Sequence, residues 1–203
     1  MKNRAVDLRL LIGLVIAHLL LFFSFHDKSV FWYLYSGSIL FLIAYGMFQE
    51  DVADEAPFFT YISVGALTGF ILFGFIWLGN QAIVTFDIPF ERNIKQLYRW
   101  FAPSVFWEYL ALVLVAAPGE ELFWRGFILN RLLRYFNPIV SIFVGAFLYA
   151  SVMFYSGEFI LVLVTFICGL FWGALYLWKK SMPLVIVSHL IFDIMLFIVI
   201  PFY

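Results

Sequence analysis

The sequence predicts an all-α fold, a polytopic transmembrane helical bundle of about seven spans with one interfacial amphipathic helix. Three observations predict it. Of 203 residues, 65% are hydrophobic and 12% charged, where a soluble domain is about half apolar and about a quarter charged. Such an excess puts apolar side chains on the outer surface, which is stable only where lipid is the solvent. Apolar runs of about 20 residues, the length that crosses a bilayer, recur along the chain between short polar breaks. These runs are continuous, not the alternating segments of about ten residues that build a membrane barrel. A formal net charge of -1 leaves no basic field for nucleic acid. The one cysteine, Cys168, has no partner for an internal disulfide.

The runs fall at about 9–25, 31–48, 58–79, 104–124, 138–155, 159–178 and 182–202. Lys2, Arg4 and Arg9 precede the first, as in a signal peptide. The run ends in Leu21-Phe22-Phe23-Ser24-Phe25 without a small-residue cleavage site, so it is read as a retained span. The breaks are His26-Asp27-Lys28-Ser29, the acidic stretch Gln49 to Pro57, Ser156-Gly157-Glu158 and Lys179-Lys180-Ser181. Between Gln81 and Pro103, Asp87, Glu91, Arg92, Lys95 and Arg99 interleave with Ile94, Leu97, Tyr98, Trp100 and Phe101. From Phe90 on, this pattern suits an amphipathic helix at the bilayer interface, as a connector or as a lid over a site. With the N-terminus inside, seven spans put Lys2, Arg4, Arg9, Arg125, Arg131, Arg134, Lys179 and Lys180 on the cytoplasmic side. Lys28, Arg92, Lys95 and Arg99 then face outward, so the positive-inside rule predicts a cytoplasmic N-terminus in the cell membrane.

Ionisable residues inside spans cost about 2.5–3.5 kcal/mol each on insertion scales and need a partner or a task. His18, alone in the first span, reads as a helix-packing residue, and Glu108 as an interfacial one. The fourth span carries Pro118-Gly119-Glu120-Glu121-Leu122-Phe123-Trp124-Arg125-Gly126. Adjacent helix residues point about 100° apart, so the two acids need different surroundings. Glu121 and Arg125, four apart with the acid first, pair on one face. Glu120 is left to face another helix, as a candidate general base toward water. A helix-end ion pair explains the same residues without function. The seventh span carries His189 and Asp193, again four apart and mid-span. They imply a polar cavity inside the bundle, or a structural pair that fixes packing.

Taken together, Glu120-Glu121-x-x-x-Arg125, an aromatic position at Tyr149 and His189-x-x-x-Asp193 resemble the motif series of the CPBP family. That family includes the CAAX prenyl endopeptidases and the bacteriocin-processing and immunity proteins. Cys168-Gly169-Leu170-Phe171-Trp172-Gly173-Ala174-Leu175-Tyr176 fits as well, and the resemblance covers about residues 105–200. It divides the chain into N-terminal spans with their amphipathic connector (1–103) and a CAAX-protease-type core (104–203). The resemblance implies an intramembrane endopeptidase. Glu120 would activate water, Glu121 and Arg125 would support it, and His189 with Asp193 would bind the scissile carbonyl as an oxyanion hole does. One departure stands out. Where the family's aromatic-x-x-x-His motif places a histidine, this chain has Met153, with Tyr149 at the aromatic position. Both are expected to line the substrate site, and Tyr149, Tyr155 and Glu158 are the groups available to stand in for the imidazole. A thioether accepts no proton and is a poor zinc ligand, so the zinc implied by analogy is doubtful and no metal ligands are assigned. A catalytically inactive relative that binds a membrane partner is the alternative. A proton-relay transporter has no supporting broken-helix repeat. The expected partners are the bilayer and a peptide or membrane-protein substrate. Nothing selects a prenylated tail, and no dimer face is legible.

Overall fold

The computed structural model describes residues 7–202. Lys2 and Arg4, counted above for orientation, lie outside the described residues. Asp7 starts α1 (Leu8–His26) by accepting a hydrogen bond from Leu10 N on Oδ1 at 3.1 Å. Asp27 then caps a single 3-10 turn, Lys28–Val30, that feeds α2 (Phe31–Met47). Helix α3 (Phe58–Thr85) runs past the expected end at 79, because Ala82, Ile83 and Val84 keep an apolar face after Asn80 and Gln81. A turn through Asp87, with φ of 55°, leads to the amphipathic α4 (Glu91–Phe101). Ile94 is buried beneath α4, while Lys95 and Glu91 pair on its exposed face at 2.7 Å.

Helix α5 (Phe106–Leu132) leaves α4 at 100°, as expected where an interfacial helix meets a span. Glu108 folds back over the α5 N-terminus, and its Oε2 accepts from Ser104 N, Ser104 Oγ and Val105 N. It is a capping residue. Helix α5 reaches Leu132, beyond the expected end at 124, and carries wide π turns at Leu112–Ala116 and Leu122–Leu129. Pro118 lies between them and offers no N–H to the helix; wide turns absorb such a break. The bundle is completed by α6 (Pro138–Ser151), a 3-10 turn at Val152–Ser156, α7 (Phe159–Lys179) and α8 (Met182–Ile194), which ends in a π turn at Met195–Val199. Among the described residues six helices are long and apolar enough to cross a membrane, and α5 makes a seventh when the bent α4–α5 pair counts as one span. The chain is an integral multi-pass membrane protein.

Two contact networks tie the spans. Leu21, Ile39 and Leu42 of α1 and α2 belong to one buried cluster with Phe123, Phe127, Tyr149 and Met153. Leu72 and Phe73 of α3 join Trp172 and Leu184 in a second. Helix α3 approaches α8 closely because Gly65 faces Leu184 O and Val187, and Gly69 faces Ser188 O and Ile191; small residues spaced by four permit such approach in membranes. On one side of the bundle Arg131 bridges Asp7 (2.9 Å) and Glu50 (2.6 Å), and Arg134 also reaches Glu50. Burial pushes the Asp7 carboxyl up, but its bonds from Arg131 and Leu10 N outweigh this and hold it below the ordinary 3.8. On the same side the acidic loop is pinned to the start of α8 by Met182 N donating to Ala53 O and Ser181 Oγ donating to Asp54. On the opposite side Lys28 sits over the Trp100 ring, and Asn93 of α4 donates to Glu158 at 2.7 Å.

Candidate active site

The middle of α5 presents its two carboxylates to different neighbours. Glu121 is fully buried, and its Oε1 accepts from Arg125 Nη1 at 3.0 Å and from His189 Nδ1 at 2.7 Å. Glu120 turns the other way. The Tyr35 hydroxyl of α2 donates to its Oε1 at 2.5 Å, and the Tyr149 hydroxyl of α6 donates to its Oε2. Arg125 is 2% exposed, so it is an interior cation and not a helix-end charge. Its guanidinium lies over the Tyr149 ring at 4.7 Å and the Trp172 ring at 5.4 Å, a favourable place for a desolvated cation. Glu121 Oε2 and Arg125 Nη2 have no hydrogen-bond partner among the described residues.

His189 and Asp193 share one face of α8, but the closer partner of the imidazole is Glu121. Nε2 stands 3.6 Å from Asp193 Oδ2, an ion-pair distance too long for a hydrogen bond. Trp172 of α7 stacks on the ring at 3.8 Å and donates through Nε1 to Ser188 Oγ at 3.2 Å. Glu121 and Trp172 thus fix both the plane and the direction of the imidazole. With the Nδ1 proton directed to Glu121, Nε2 is the nitrogen that faces Asp193, and the bond on one ring nitrogen sets the role of the other.

Part of this network lines one cavity of about 160 Å³ in the bundle, with Glu121 and Arg125 behind its wall. Tyr35, Glu120, Tyr149, Met153, His189 and Asp193 form its chemically active lining, and the rest is mainly aromatic and aliphatic. Of the three groups considered as stand-ins at position 153, only Tyr149 lines it. The Tyr155 hydroxyl bonds His18 Nδ1 at 3.0 Å, Ser151 Oγ lies 3.3 Å from His18 Nε2, and Glu158 holds Asn93. His18 joins α1 to the end of α6, as a packing residue does, and brings no imidazole to the cavity.

Sequence reasoning missed Tyr35 and the role of Trp172. Trp172 stood inside the 168–176 stretch that carried the resemblance. Tyr35 sits in a span with several aromatic residues and nothing local to single it out. A zinc ion does not fit this donor set. No group of three or more His, Cys, Asp or Glu is placed to hold a metal among the described residues. Both His189 nitrogens face carboxylates, both Glu120 oxygens accept from tyrosines, and Met153 offers a thioether.

Residues 102–195 match the family model described as Type II CAAX prenyl endopeptidase Rce1-like. The match spans α5 through α8, and therefore every residue of the cavity's polar lining except Tyr35. No curated protein and no solved structure matches the chain.

Proposed function

We propose that this chain, whose residues 102–195 belong to the CPBP family, is an intramembrane endopeptidase in which Glu120 activates the hydrolytic water. The family is a protease family, which supports a hydrolase. The observation that carries the reading is that Glu120, His189 and Asp193 line one cavity inside the bundle. Each Glu120 oxygen keeps a lone pair beyond the one its tyrosine occupies. Glu120 takes a proton from water as the water oxygen attacks the scissile carbonyl carbon. The carbonyl π electrons move to oxygen, and the Nε2–H of an imidazolium His189 donates to that oxyanion. Glu121 holds Nδ1 meanwhile, and Asp193 balances the charge. The proton on Glu120 then passes to the amide nitrogen as the C–N bond breaks, leaving a carboxyl and an amine product. No step uses a metal.

The substrate is a peptide or a segment of a membrane protein that enters from the bilayer or its surface. The reading also sets the N-terminus in the cytoplasm. The test is cleavage by the purified chain in lipid–detergent micelles, given a farnesylated CAAX peptide and, separately, total membrane protein with new termini read by mass spectrometry. Wild type is expected to cut. Glu120→Ala and His189→Ala lose about 100-fold or more, the scale of a general base or an oxyanion donor. Met153→His raises the rate. Chelation is expected to leave the rate unchanged. A wild type that generates no new terminus would transfer the case to the alternative, a partner-binding scaffold.

A further inference from the structure

We infer that Tyr35 and Tyr149 are positioning residues that hold the Glu120 carboxylate from its two sides, taking over the hydrogen-bonding role of the imidazole that Met153 does not supply. The inference rests on the endopeptidase reading of the same cavity and adds to it a residue from outside the family-matched segment.

Four observations carry it. The two hydroxyls donate to opposite oxygens of one carboxylate, from helices on either side of α5. Both tyrosines are buried, at 6% and 4% exposure, where no bulk water competes for the hydroxyls. Their rings are wedged. Phe31 stacks on Tyr35 at 5.0 Å, Trp124 lies 5.2 Å from Tyr149, and Arg125 covers the Tyr149 face. Neither hydroxyl can swing away without moving the core. Finally, the backbone makes room for the reach from α2. Gly119, beside Glu120, meets Ile39 so closely that a Cβ there would collide with it, and the same Cβ would stand 2.8 Å from Ile43. Ile39 lies one helical turn beyond Tyr35, so the missing side chain at 119 is what brings Tyr35 within reach of Glu120.

The pairing of Tyr149 with Met153 points the same way. They are four apart near the end of α6 and both line the cavity. A hydroxyl at 149 therefore approaches Glu120 from the same wall that residue 153 occupies. A phenol is a neutral donor here and gives up no proton during hydrolysis. It fixes the carboxylate plane and aims the remaining lone pairs into the cavity, which is the contribution of orientation to catalysis.

The experiment uses Tyr35→Phe, Tyr149→Phe and the double variant, which keep the rings and remove only the hydroxyls. In micelles with the farnesylated peptide, each single change is expected to lower kcat about tenfold, the scale of one hydrogen bond to a charged group, with KM within about twofold. Met153→His added to Tyr149→Phe restores most of the loss, which a purely structural hydroxyl would not allow. Infrared difference spectroscopy provides a readout that needs no turnover. The carboxylate stretch assigned to Glu120 by its loss in Glu120→Gln shifts in both Phe variants. A band unmoved in both variants overturns the inference, as does unchanged kcat. If wild type cleaves nothing, the endopeptidase reading falls, and the infrared band alone decides whether the hydroxyls hold Glu120.

Discussion

Glu120 and Glu121 differ by one position, yet one faces two phenols and the other a guanidinium and an imidazole. The 100° step between neighbours on a helix accounts for the split, and burial makes each set of partners matter. Arg125 and Glu121 are both nearly or fully buried, at 2% and 0% side-chain exposure. Removing one partner of such a pair strands the other charge, at about 3–5 kcal/mol. Arg125→Met is therefore expected to lower thermal stability in micelles sharply. Arg134→Met serves as the control: its side chain is 54% exposed, and Glu50 keeps Arg131 as its partner, so the loss is expected to be about 0–1 kcal/mol. Equal melting shifts for the two would contradict this account. The Glu121–Arg125 pair was legible in the sequence because a four-residue spacing is local. So was the shared face of His189 and Asp193. The bonds that finish the site were not legible, since His189 meets Glu121 across 68 positions and Tyr35 meets Glu120 across 85, and no periodicity records which face of one span meets another.

Helix α3 supplies no polar group to the cavity, yet it packs along the helix that carries His189 and Asp193. Its contact with α8 depends on two positions that have no side chain. A Cβ at Gly69 would stand 2.5 Å from Ser188 O and 2.8 Å from Ile191 Cβ, while one at Gly74 would meet nothing within 4 Å. Gly69→Leu must push α3 off α8, and overpacking of this kind costs about 1–3 kcal/mol. Denaturant unfolding in mixed micelles is expected to show that loss, with Gly74→Leu near wild type. Comparable midpoints for both variants would mean that the close approach is unimportant. At this scale most of the fold could be read in advance, because apolar run length sets span length and Pro or polar clusters end the runs. The misjudged ends have physical reasons: α3 continued on an apolar face past Asn80, and α5 continued through its wide turns. The amphipathic α4 was legible from its alternation of charge and aromatic residues, although its 100° angle to α5 comes from Ala102–Pro103 and the Glu108 cap.

At the scale of the whole molecule, the ion-pair geometry bears on which compartment the cavity faces. Asp7, Glu50, Arg131 and Arg134 meet on one side, with Lys180 and Ser181 beside the same acidic loop. Lys28, α4 and Glu158 meet on the other. Arg125, counted in the sequence among the cytoplasmic charges at a helix end, is an interior residue and drops out of the balance. Among the described residues the remaining cations still favour the Asp7 side, with Arg9, Arg131, Arg134, Lys179 and Lys180 against Lys28, Arg92, Lys95 and Arg99, a balance that supports the proposed cytoplasmic N-terminus under the positive-inside rule. The cavity leans the opposite way. Phe25 near the end of α1, Phe31 at the start of α2, Phe101 at the end of α4 and Phe197 near the end of α8 all line it. The proposed cytoplasmic N-terminus would turn the cavity toward the outer face, and the substrate to test first would then be an exported peptide or an outward-facing segment. Cysteine labelling in intact cells checks this directly, because the native Cys168 is buried. Lys95→Cys is expected to react with a membrane-impermeant maleimide, and Arg134→Cys only after the membrane is opened. The reverse pattern would invert the topology, turn the cavity toward the cytoplasm and restore cytosolic prenylated proteins as the first substrates to test.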